Sequence, residues 1–248
     1  MPGGELACWS PVEVKASHPV NCIIANTPSL LQRVFQLRYM CYHRKGSINE
    51  SPTAIFQDQF DELCNSISVL AESTSGEAVA TVRISVVKPT AGWRDSPAQH
   101  VFGDHPQLQA IAAESYVEAS RLCFGPHARR DSFVTLLGHL AALAEDYEAD
   151  WLVACPRIEH SEVYQRMFGF RPLAPARQYF GVNFQTQLLD IRRSELAEYV
   201  RAARPMKAAW ANALERLVRS AALPTPGACW SSGCSPSGES AAHAVGAS

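Results

Sequence analysis

Residues 77–88, "EAVATVRISVVK", alternate between apolar and polar side chains. Neighbouring side chains of a β-strand point to opposite faces of its sheet, so this alternation predicts a strand with one apolar and one polar face. Arg83 lies in the middle of the polar face and needs a partner if the sheet is covered. The two predicted faces are Ala80, Val82, Ile84 and Val86 against Thr81, Arg83 and Ser85.

Strands and helices are predicted on both sides of this segment. Thr27 and Pro28 have the cap and first-turn chemistry of a helix that ends at Gly46. A turn at Ser75 and Gly76 joins two neighbouring strands. The order β-α-β-β-loop-β-α-β-α-β-α predicts a mixed α/β (α+β) sheet in three layers. The other predicted strands are 20–25, 66–73, 115–124, 150–156 and 178–191, the other helices are 131–149, 159–170 and 194–220, and residues 88–107 are predicted as a connection.

Composition limits the class of protein. The chain has 248 residues, 47% of them hydrophobic, and a formal net charge of -2. The length and the hydrophobic fraction suit one domain with tails. The slightly negative net charge gives no positive field that would attract nucleic acid. No apolar run approaches the roughly 18 residues of a membrane span, and the first residues lack a secretory signal pattern. We therefore predict a cytoplasmic protein with no membrane span and no nucleic-acid partner. Its predicted parts are a flexible arm 1–18, a core 19–190, a helical extension 191–221 and a disordered tail 222–248.

Metal binding is not expected. The 8 cysteines form no C-x-x-C pair, and the 8 histidines show no ligand spacing. Free cysteine behaves as a small hydrophobic residue, so we interpret the cysteines as buried thiols.

Six charged residues stand where a core would be expected. Arg38 shares a helix face with Leu31, Phe35 and Tyr42. Asp58 and Asp61 follow in the next loop. Glu118 and Arg121 are three apart on one strand, and a β-bulge near Ala119 or Ser120 would bring them to one face. We expect the acids and arginines to form a paired network that lines a polar pocket, either functional or structural. The six are Arg38, Arg83, Arg121, Asp58, Asp61 and Glu118.

These motifs resemble the autoinducer-synthase-like branch of the GNAT acyltransferases, and within it the N-acyl amino acid synthase family. The resemblance covers about residues 20–185 and rests on four motifs in order. They are Arg38 with Tyr42, the pair Asp58 and Asp61, Arg83 before Pro89 and Thr90, and Glu118-Ala-Ser120-Arg121. It implies a bacterial enzyme with a GNAT-like sheet splayed into a V between its fourth and fifth strands and flanked by helices. It also implies that a fatty acyl group moves from a thioester to an amino acid.

The resemblance suggests roles for these residues. Glu118 is a candidate general base or a structural partner of Arg121, and Tyr164 is a candidate acid or a wall residue. The expected substrate-binding residues are Arg38, Tyr42, Asp58, Asp61, Arg83, Ser120 and Arg121, with Arg38 or Arg83 holding the acceptor carboxylate and Asp58 and Asp61 folding back onto Arg38.

No bound cofactor is expected, and the co-substrate is an acyl-phosphopantetheine. The segment "GPHARRDSFVTLLG", residues 125–138, lacks the glycines of a CoA pyrophosphate loop, which favours acyl carrier protein over acyl-CoA. Arg129 and Arg130 could pair with its phosphate or lie solvated at a helix start. The alternatives are an acyl-homoserine-lactone synthase that uses S-adenosylmethionine, a CoA-dependent N-acetyltransferase, or a non-catalytic module that binds acyl carrier. The loop "KGSINESP", residues 45–52, lacks the tryptophan of the lactone synthases.

Overall fold

The computed structural model describes residues 20–128 and 130–196. Its main sheet has seven strands in the order β1-β2-β3-β4-β5-β9-β6, and a separate hairpin pairs β7 with β8. The strands are β1 (Asn21–Ile24), β2 (Ser66–Glu72), β3 (Ala78–Val87), β4 (Tyr116–Phe124), β5 (Trp151–Ala154), β6 (Arg171–Pro172), β7 (Arg177–Gln178), β8 (Gln185–Thr186) and β9 (Leu189–Arg192). The helices are α1 (Pro28–Arg44), α2 (Pro97–Phe102), α3 (Pro106–Ala113), α4 (Arg130–Asp146) and α5 (Ser161–Phe168).

The predicted mixed α/β sheet with helices on both faces is confirmed. The pairs β1–β2, β2–β3 and β3–β4 are antiparallel, β4–β5 is parallel, and β5–β9 is antiparallel. Helix α1 begins as predicted, because the Thr27 hydroxyl accepts a hydrogen bond from the Leu30 N–H at 3.3 Å and Pro28 opens the first turn. Gly46 follows its end with φ of +63°, a conformation that favours glycine.

The alternation in β3 separates the two faces of the sheet. Its apolar side chains pack with α4 in the largest apolar cluster, where Leu136 and Leu140 meet Val82 and Ile84. The opposite face carries the buried polar residues Thr81, Arg83 and Ser85 and is covered by α1 and by α2 with α3. The three-layer arrangement therefore buries a polar stripe between the sheet and α1.

The sheet opens between β4 and β5. These strands pair from Tyr116 with Trp151 to Ala119 with Ala154. Strand β4 then continues to Phe124, while β5 ends. The edge of β4 from Ser120 onward has no strand partner on the β5 side within the described residues, and this opening between the fourth and fifth strands is the expected V.

Several predicted elements differ from the observed ones. The long final strand predicted over 178–191 is wrong: Gly181 turns the chain with φ of +68°, so the segment forms the β7–β8 hairpin and then β9. The predicted connection 88–107 contains α2, the start of α3 and a short 3-10 turn. Strand β6 was not predicted. Helix α4 begins at Arg130, one residue before the start of the predicted helix 131–149.

The predicted β4 bulge exists, but it lies one residue later than expected. Thr81 is opposite Cys123 and Arg83 is opposite Ser120, so two β4 residues, Arg121 and Leu122, face one residue of β3. Arg121 has φ of +54°, the left-handed region that costs a non-glycine residue energy. The bulge, with this backbone conformation, places the Arg121 side chain on the polar face of the sheet.

No helix in the described part of the chain is long and apolar enough to cross a membrane. In the same residues no cluster of His, Cys, Asp or Glu side chains could hold a metal ion. Cys22, Cys41 and Cys123 are buried as predicted, whereas Cys64 and Cys155 are partly exposed. The predicted arm 1–18 and tail 222–248, and all but the first residues of the predicted extension 191–221, lie outside the described residues.

Candidate active site

The loop between α1 and β2 delivers two aspartates to the polar face of the sheet. A 3-10 turn at Gln59–Asp61 places them one turn apart. The Asp58 Oδ1 accepts from the Phe60 N–H, and the Asp61 Oδ2 accepts from the Asp58 N–H, each at 3.0 Å. These local bonds use part of each carboxylate and fix the remaining lone pairs toward the sheet.

Three arginines from three elements meet these carboxylates. Arg38 of α1 donates to Asp61 Oδ1 at 2.7 Å, and Arg83 of β3 donates to Asp58 Oδ1 at 2.5 Å. Arg121 of β4 reaches Asp58 Oδ2 through both Nε at 2.9 Å and Nη2 at 2.7 Å. The bidentate contact of Arg121 is possible because the bulge aims its side chain at Asp58.

The network is almost fully excluded from water. The side chains of Arg38 and Arg83 are 0% exposed, and that of Asp61 is 3% exposed. Burial raises the pKa of Asp58, but the positive charges of Arg83 and Arg121 outweigh it and hold this pKa at about 2. The same pairing raises the pKa of Arg83. The Asp58 carboxylate and the Arg83 guanidinium are therefore charged at neutral pH.

Serine hydroxyls extend the network, although Arg38 Nε and Arg83 Nη2 have no hydrogen-bond partner among the described residues. Ser68 accepts from Arg38 Nη2 and Ser120 accepts from Arg83 Nε, both at 3.0 Å. Aromatic rings cover the rest: the Arg121 guanidinium lies 4.6 Å from the centre of the Phe56 ring and 5.3 Å from those of Tyr179 and Phe180.

Glu118 stands apart from this network. Its side chain is 0% exposed, and its Oε2 accepts from the Ala98 N–H in the first turn of α2 at 2.8 Å. Its Oε1 has no hydrogen-bond partner, and none of the ion pairs of the described residues includes it. The interpretation of Glu118 as a partner of Arg121 is thus not what the geometry shows. Burial raises its pKa to about 7, although the Ala98 bond and Arg83 act to lower it.

A cavity of about 300 Å³ opens where β4 and β5 part. Its walls come from the end of α1, the unpaired half of β4, the residues after β5 and α5. Of the predicted site residues, Tyr42, Ser120, Arg121 and Tyr164 line it. Arg38, Arg83, Asp58 and Asp61 lie behind this wall, so Arg38 and Arg83 are not placed to hold an acceptor carboxylate.

Tyr164 projects from α5 into the cavity wall. Its ring packs edge-on against Phe168 and Phe170, with ring centres 6.2 and 6.0 Å away. Burial, reinforced by Tyr42, raises the pKa of Tyr164, so its phenol stays protonated and able to donate. The cavity thiol of Cys155 also has a raised pKa, first through burial and then through Glu118, and is no thiolate nucleophile.

Some residues of the site were missed by sequence reasoning. Ala98 holds Glu118 from a segment predicted to be a connection, and Lys45, Ser47 and Arg157 line the cavity. One signal was available for Arg157, since it follows a buried strand, and side chains at the carboxyl ends of parallel strands gather at ligand sites. Arg129 lies outside the described residues, and the side chain of Arg130 is not described.

A mixed sheet that opens between its fourth and fifth strands beside a cavity defines the class of GNAT-like acyltransferase folds. Solved structures share it. The N-acyl amino acid synthase FeeM from uncultured soil microbes aligns with a TM-score of 0.60 and 14% identity over 73% of this chain and 94% of that chain. The CoA-dependent acyl-homoserine lactone synthase BjaI, solved with SAM and isopentyl-CoA, gives 0.51 and 19% over 78% and 97%. The AHL synthase LasI gives 0.52 and 13% over 71% and 91%.

The family itself is shown by the sequence. The profile of the family "N-acyl amino acid synthase FeeM" matches residues 33–192, well over half of the chain. This protein therefore belongs to the FeeM family of N-acyl amino acid synthases and is an acyltransferase. No curated protein matches the chain.

Proposed function

We propose that this protein moves a fatty acyl group from the thioester of acyl carrier protein to the amine of an amino acid, giving an N-acyl amino acid. The observation that supports this most is the cavity at the β4–β5 opening, which lies beside the buried Glu118. A thioester threaded along the unpaired edge of β4 would bring its carbonyl to the end of the parallel pairing, at Ala119 and Ala154.

Glu118 is the proposed general base. An amine attacks a thioester only when it is neutral, so a proton must leave the ammonium group. A carboxyl with a pKa of about 7 takes that proton near neutral pH, which an ordinary carboxylate does poorly. The unpartnered Oε1 is the oxygen proposed to take it, through a water, because Glu118 is fully buried behind Ala119 and is not among the residues that line the cavity.

Tyr164 is the proposed general acid. The new C–N bond forms as the amine adds to the carbonyl, and the C–S bond breaks as the intermediate collapses. The departing thiolate takes a proton, which the Tyr164 phenol can give from the cavity wall. Backbone N–H groups on the open edge of β4 can hold the carbonyl oxygen while it carries negative charge.

The arginine–aspartate network is proposed to position the site. Arg38, Asp61, Arg83 and Asp58 connect α1, the loop and β3 to Arg121, whose backbone forms the bulge in the cavity wall. Tyr42 and Ser120 bring this network to the cavity surface. Such buried, charge-paired contacts keep a wall rigid, which preserves the alignment of the two reactants.

Acyl carrier protein remains the preferred donor in this proposal. The start of α4 lacks the glycine pattern of a CoA pyrophosphate loop, and Arg129 and Arg130 are the proposed contacts for the carrier phosphate. A donor of this kind places the reaction in the cytoplasm.

A mixture experiment tests the proposal. The purified protein is incubated with acyl-carrier thioesters of several lengths, the twenty amino acids and S-adenosylmethionine, and products are identified by mass spectrometry. An N-acyl amino acid that disappears with Glu118→Gln supports the proposal. An acyl-homoserine lactone would assign the chemistry of the lactone synthases that share the fold. No product with retained carrier binding would indicate a non-catalytic module.

A further inference from the structure

The cavity wall carries positive charge without acids. Its described lining residues include no Asp or Glu, but they include Lys45, Arg121, Arg157 and His160. Arg121 is already bound to Asp58 through two nitrogens. The remaining basic side chains, Lys45, Arg157 and His160, give the cavity an excess of hydrogen-bond donors and a positive potential, which suits an anionic ligand.

Arg157 is the cation that is best placed to receive such a ligand. Its guanidinium lies 4.6 Å from the centre of the Phe184 ring, which fixes the plane of its donors. Nη1 donates to the Ser47 hydroxyl at 3.4 Å, and Nε forms an ion pair with the exposed carboxylate of Glu159 at 3.3 Å, both at the long end of hydrogen-bond distances. No other hydrogen bond of this guanidinium occurs within the described residues, so most of its five N–H groups remain available.

Lys45 and His160 line the same cavity as Arg157. Burial lowers the pKa of His160, the charges of Lys45 and Arg157 lower it further, and Glu159 acts to raise it. His160 is therefore mainly neutral at neutral pH, and the positive charge of this group comes from Lys45 and Arg157, which repel each other. Ser47 is buried and held by backbone bonds, from its N–H to the Tyr42 carbonyl at 2.9 Å and from the Asn183 N–H to its carbonyl at 2.7 Å. An oxyanion between these groups would relieve the repulsion.

The position of Arg157 distinguishes between two possible anions. It lies three residues beyond Ala154, the last β5 residue that pairs with β4, so their Cα atoms are within about 11 Å. Cys155, between them, is close enough to Glu118 for the carboxylate to raise its pKa. The carboxylate of an amino acid is one carbon from the reacting amine, whereas the carrier phosphate is a whole pantetheine arm from the thioester. A subsite beside the base therefore favours the acceptor carboxylate.

We propose that Arg157, supported by Lys45 and Ser47, forms the subsite that binds the carboxylate of the acceptor amino acid. The assignment rests on the proposed function and replaces Arg38 and Arg83 in this role, since both are fully buried and already paired. An arginine packed against an aromatic ring can bind a carboxylate through two parallel hydrogen bonds, and this orients the amine.

The test compares an amino acid with its decarboxylated amine. The wild-type protein should prefer L-tyrosine over tyramine, and likewise for every other acceptor that the mixture experiment identifies. Arg157→Gln should raise the KM for the amino acid about ten- to a hundred-fold, the range for a lost charged hydrogen bond. Its kcat and its KM for the amine should change little, so the preference disappears. Arg157→Lys should fall between the two.

The control is Arg166→Gln, which removes an exposed cation from α5 outside the cavity lining. It should leave both KM values unchanged. A rise in KM for the acyl-carrier thioester instead of the amino acid would assign Arg157 to the phosphate and overturn the proposal. An unchanged preference in Arg157→Gln would also overturn it.

A binding measurement separates this subsite from the overall function. Calorimetric titration with each of the twenty amino acids, in the presence of acyl carrier protein, needs no turnover. Binding that requires Arg157, without any acylation, would keep the subsite and reject the proposed function. Acylation by the wild-type protein, with equal amino acid binding in Arg157→Gln, would keep the function and reject the subsite.

Discussion

Glu118 is a carboxyl group whose surroundings oppose its charge. It is fully buried and has one unpartnered oxygen, and burial raises its pKa to about 7. As the proposed base it must be deprotonated to act. We expect kcat/KM to rise with pH to a plateau above about 7 in the wild-type protein. Glu118→Gln should lower the rate about a hundred-fold or more and abolish this rise, as a pH–rate series would measure.

Stability gives an independent measurement of the same group. A folded-state pKa above the ordinary glutamate value of 4.5 means that the native protein binds the proton more tightly than the unfolded chain. The wild-type protein should therefore lose stability, on the order of 3 kcal/mol, as pH rises from about 4.5 to 7. Glu118→Gln stays neutral and should lack this component in denaturant titrations at several pH values. Equal pH profiles of stability would contradict the raised pKa.

Arg38 and Asp61 form a buried ion pair. Removing the Asp61 carboxylate leaves the Arg38 guanidinium without this partner. Asp61→Asn should lower the free energy of unfolding by about 3–5 kcal/mol, because the Arg38 charge then stays buried without a carboxylate. Glu162→Gln is the matched control: it removes one carboxylate from the exposed Glu162–Arg166 pair and should cost at most about 1 kcal/mol. An unchanged melting temperature in Asp61→Asn would count against the burial of this pair.

At the scale of elements, the β7–β8 hairpin covers the network. Its turn brings the Phe180 carbonyl to Arg121 Nη2 at 3.3 Å, and the Asn183 N–H to Ser47. Its base is attached to the α2–α3 segment, where Arg177 donates to the Asp104 carboxylate and to the Val101 carbonyl at 3.0 Å. The hairpin also packs through its aromatic rings, with ring centres 5.0 Å apart for Phe180 and Phe60, so Arg177 is one of several attachments.

Arg177→Ala should loosen this hairpin. Global stability should change by less than about 1 kcal/mol, because the pair is exposed, but local opening becomes easier. Hydrogen exchange should therefore accelerate in residues 179–184 and not in β2 or β3. Arg171→Ala removes another exposed arginine, on β6, and should leave exchange in residues 179–184 as in the wild type. Equal exchange in Arg177→Ala and wild type would show that this attachment does not hold the hairpin.

At the scale of the whole molecule, a protein with a formal net charge of -2 is proposed to bind an acidic carrier. Attraction must then come from local basic groups, and salt weakens such contacts. Replacing Arg129 and Arg130 together by Gln should raise KM for acyl-carrier thioesters about ten-fold and reduce its salt dependence. KM for a minimal acyl-pantetheine thioester should not change.

The control for the carrier interaction is Arg33→Gln, which removes a cation next to the β2–β3 turn. It should have the kinetics of the wild type with both donors. If the Arg129 and Arg130 replacements left KM for the carrier thioester unchanged, the carrier would have to dock on another surface.

The sequence predicted the arginines and aspartates of the candidate site, but not which of them contact one another. The arginines and aspartates were recognisable because charges interrupt apolar patterns, as Arg38 does on α1. Their pairing was not: Asp61 pairs with both Arg38 and Arg83. Asp58 pairs with Arg83 and Arg121. Each partner comes from a different element, and no local pattern records which elements meet. The half-buried Arg157 lies in a loop and interrupts no periodic pattern, so it was missed.

The sequence by itself determined α1, strands β2 to β4 and the two faces of β3, because capping and period-two alternation act between residues that are neighbours along the chain. Tertiary structure alone decided the position of the bulge at Arg121, the pairing of the charged residues and the hairpin in place of a long strand. It also decided that Glu118 is buried without an ion pair among the described residues. These features depend on register and burial, which are set by contacts between residues far apart in sequence.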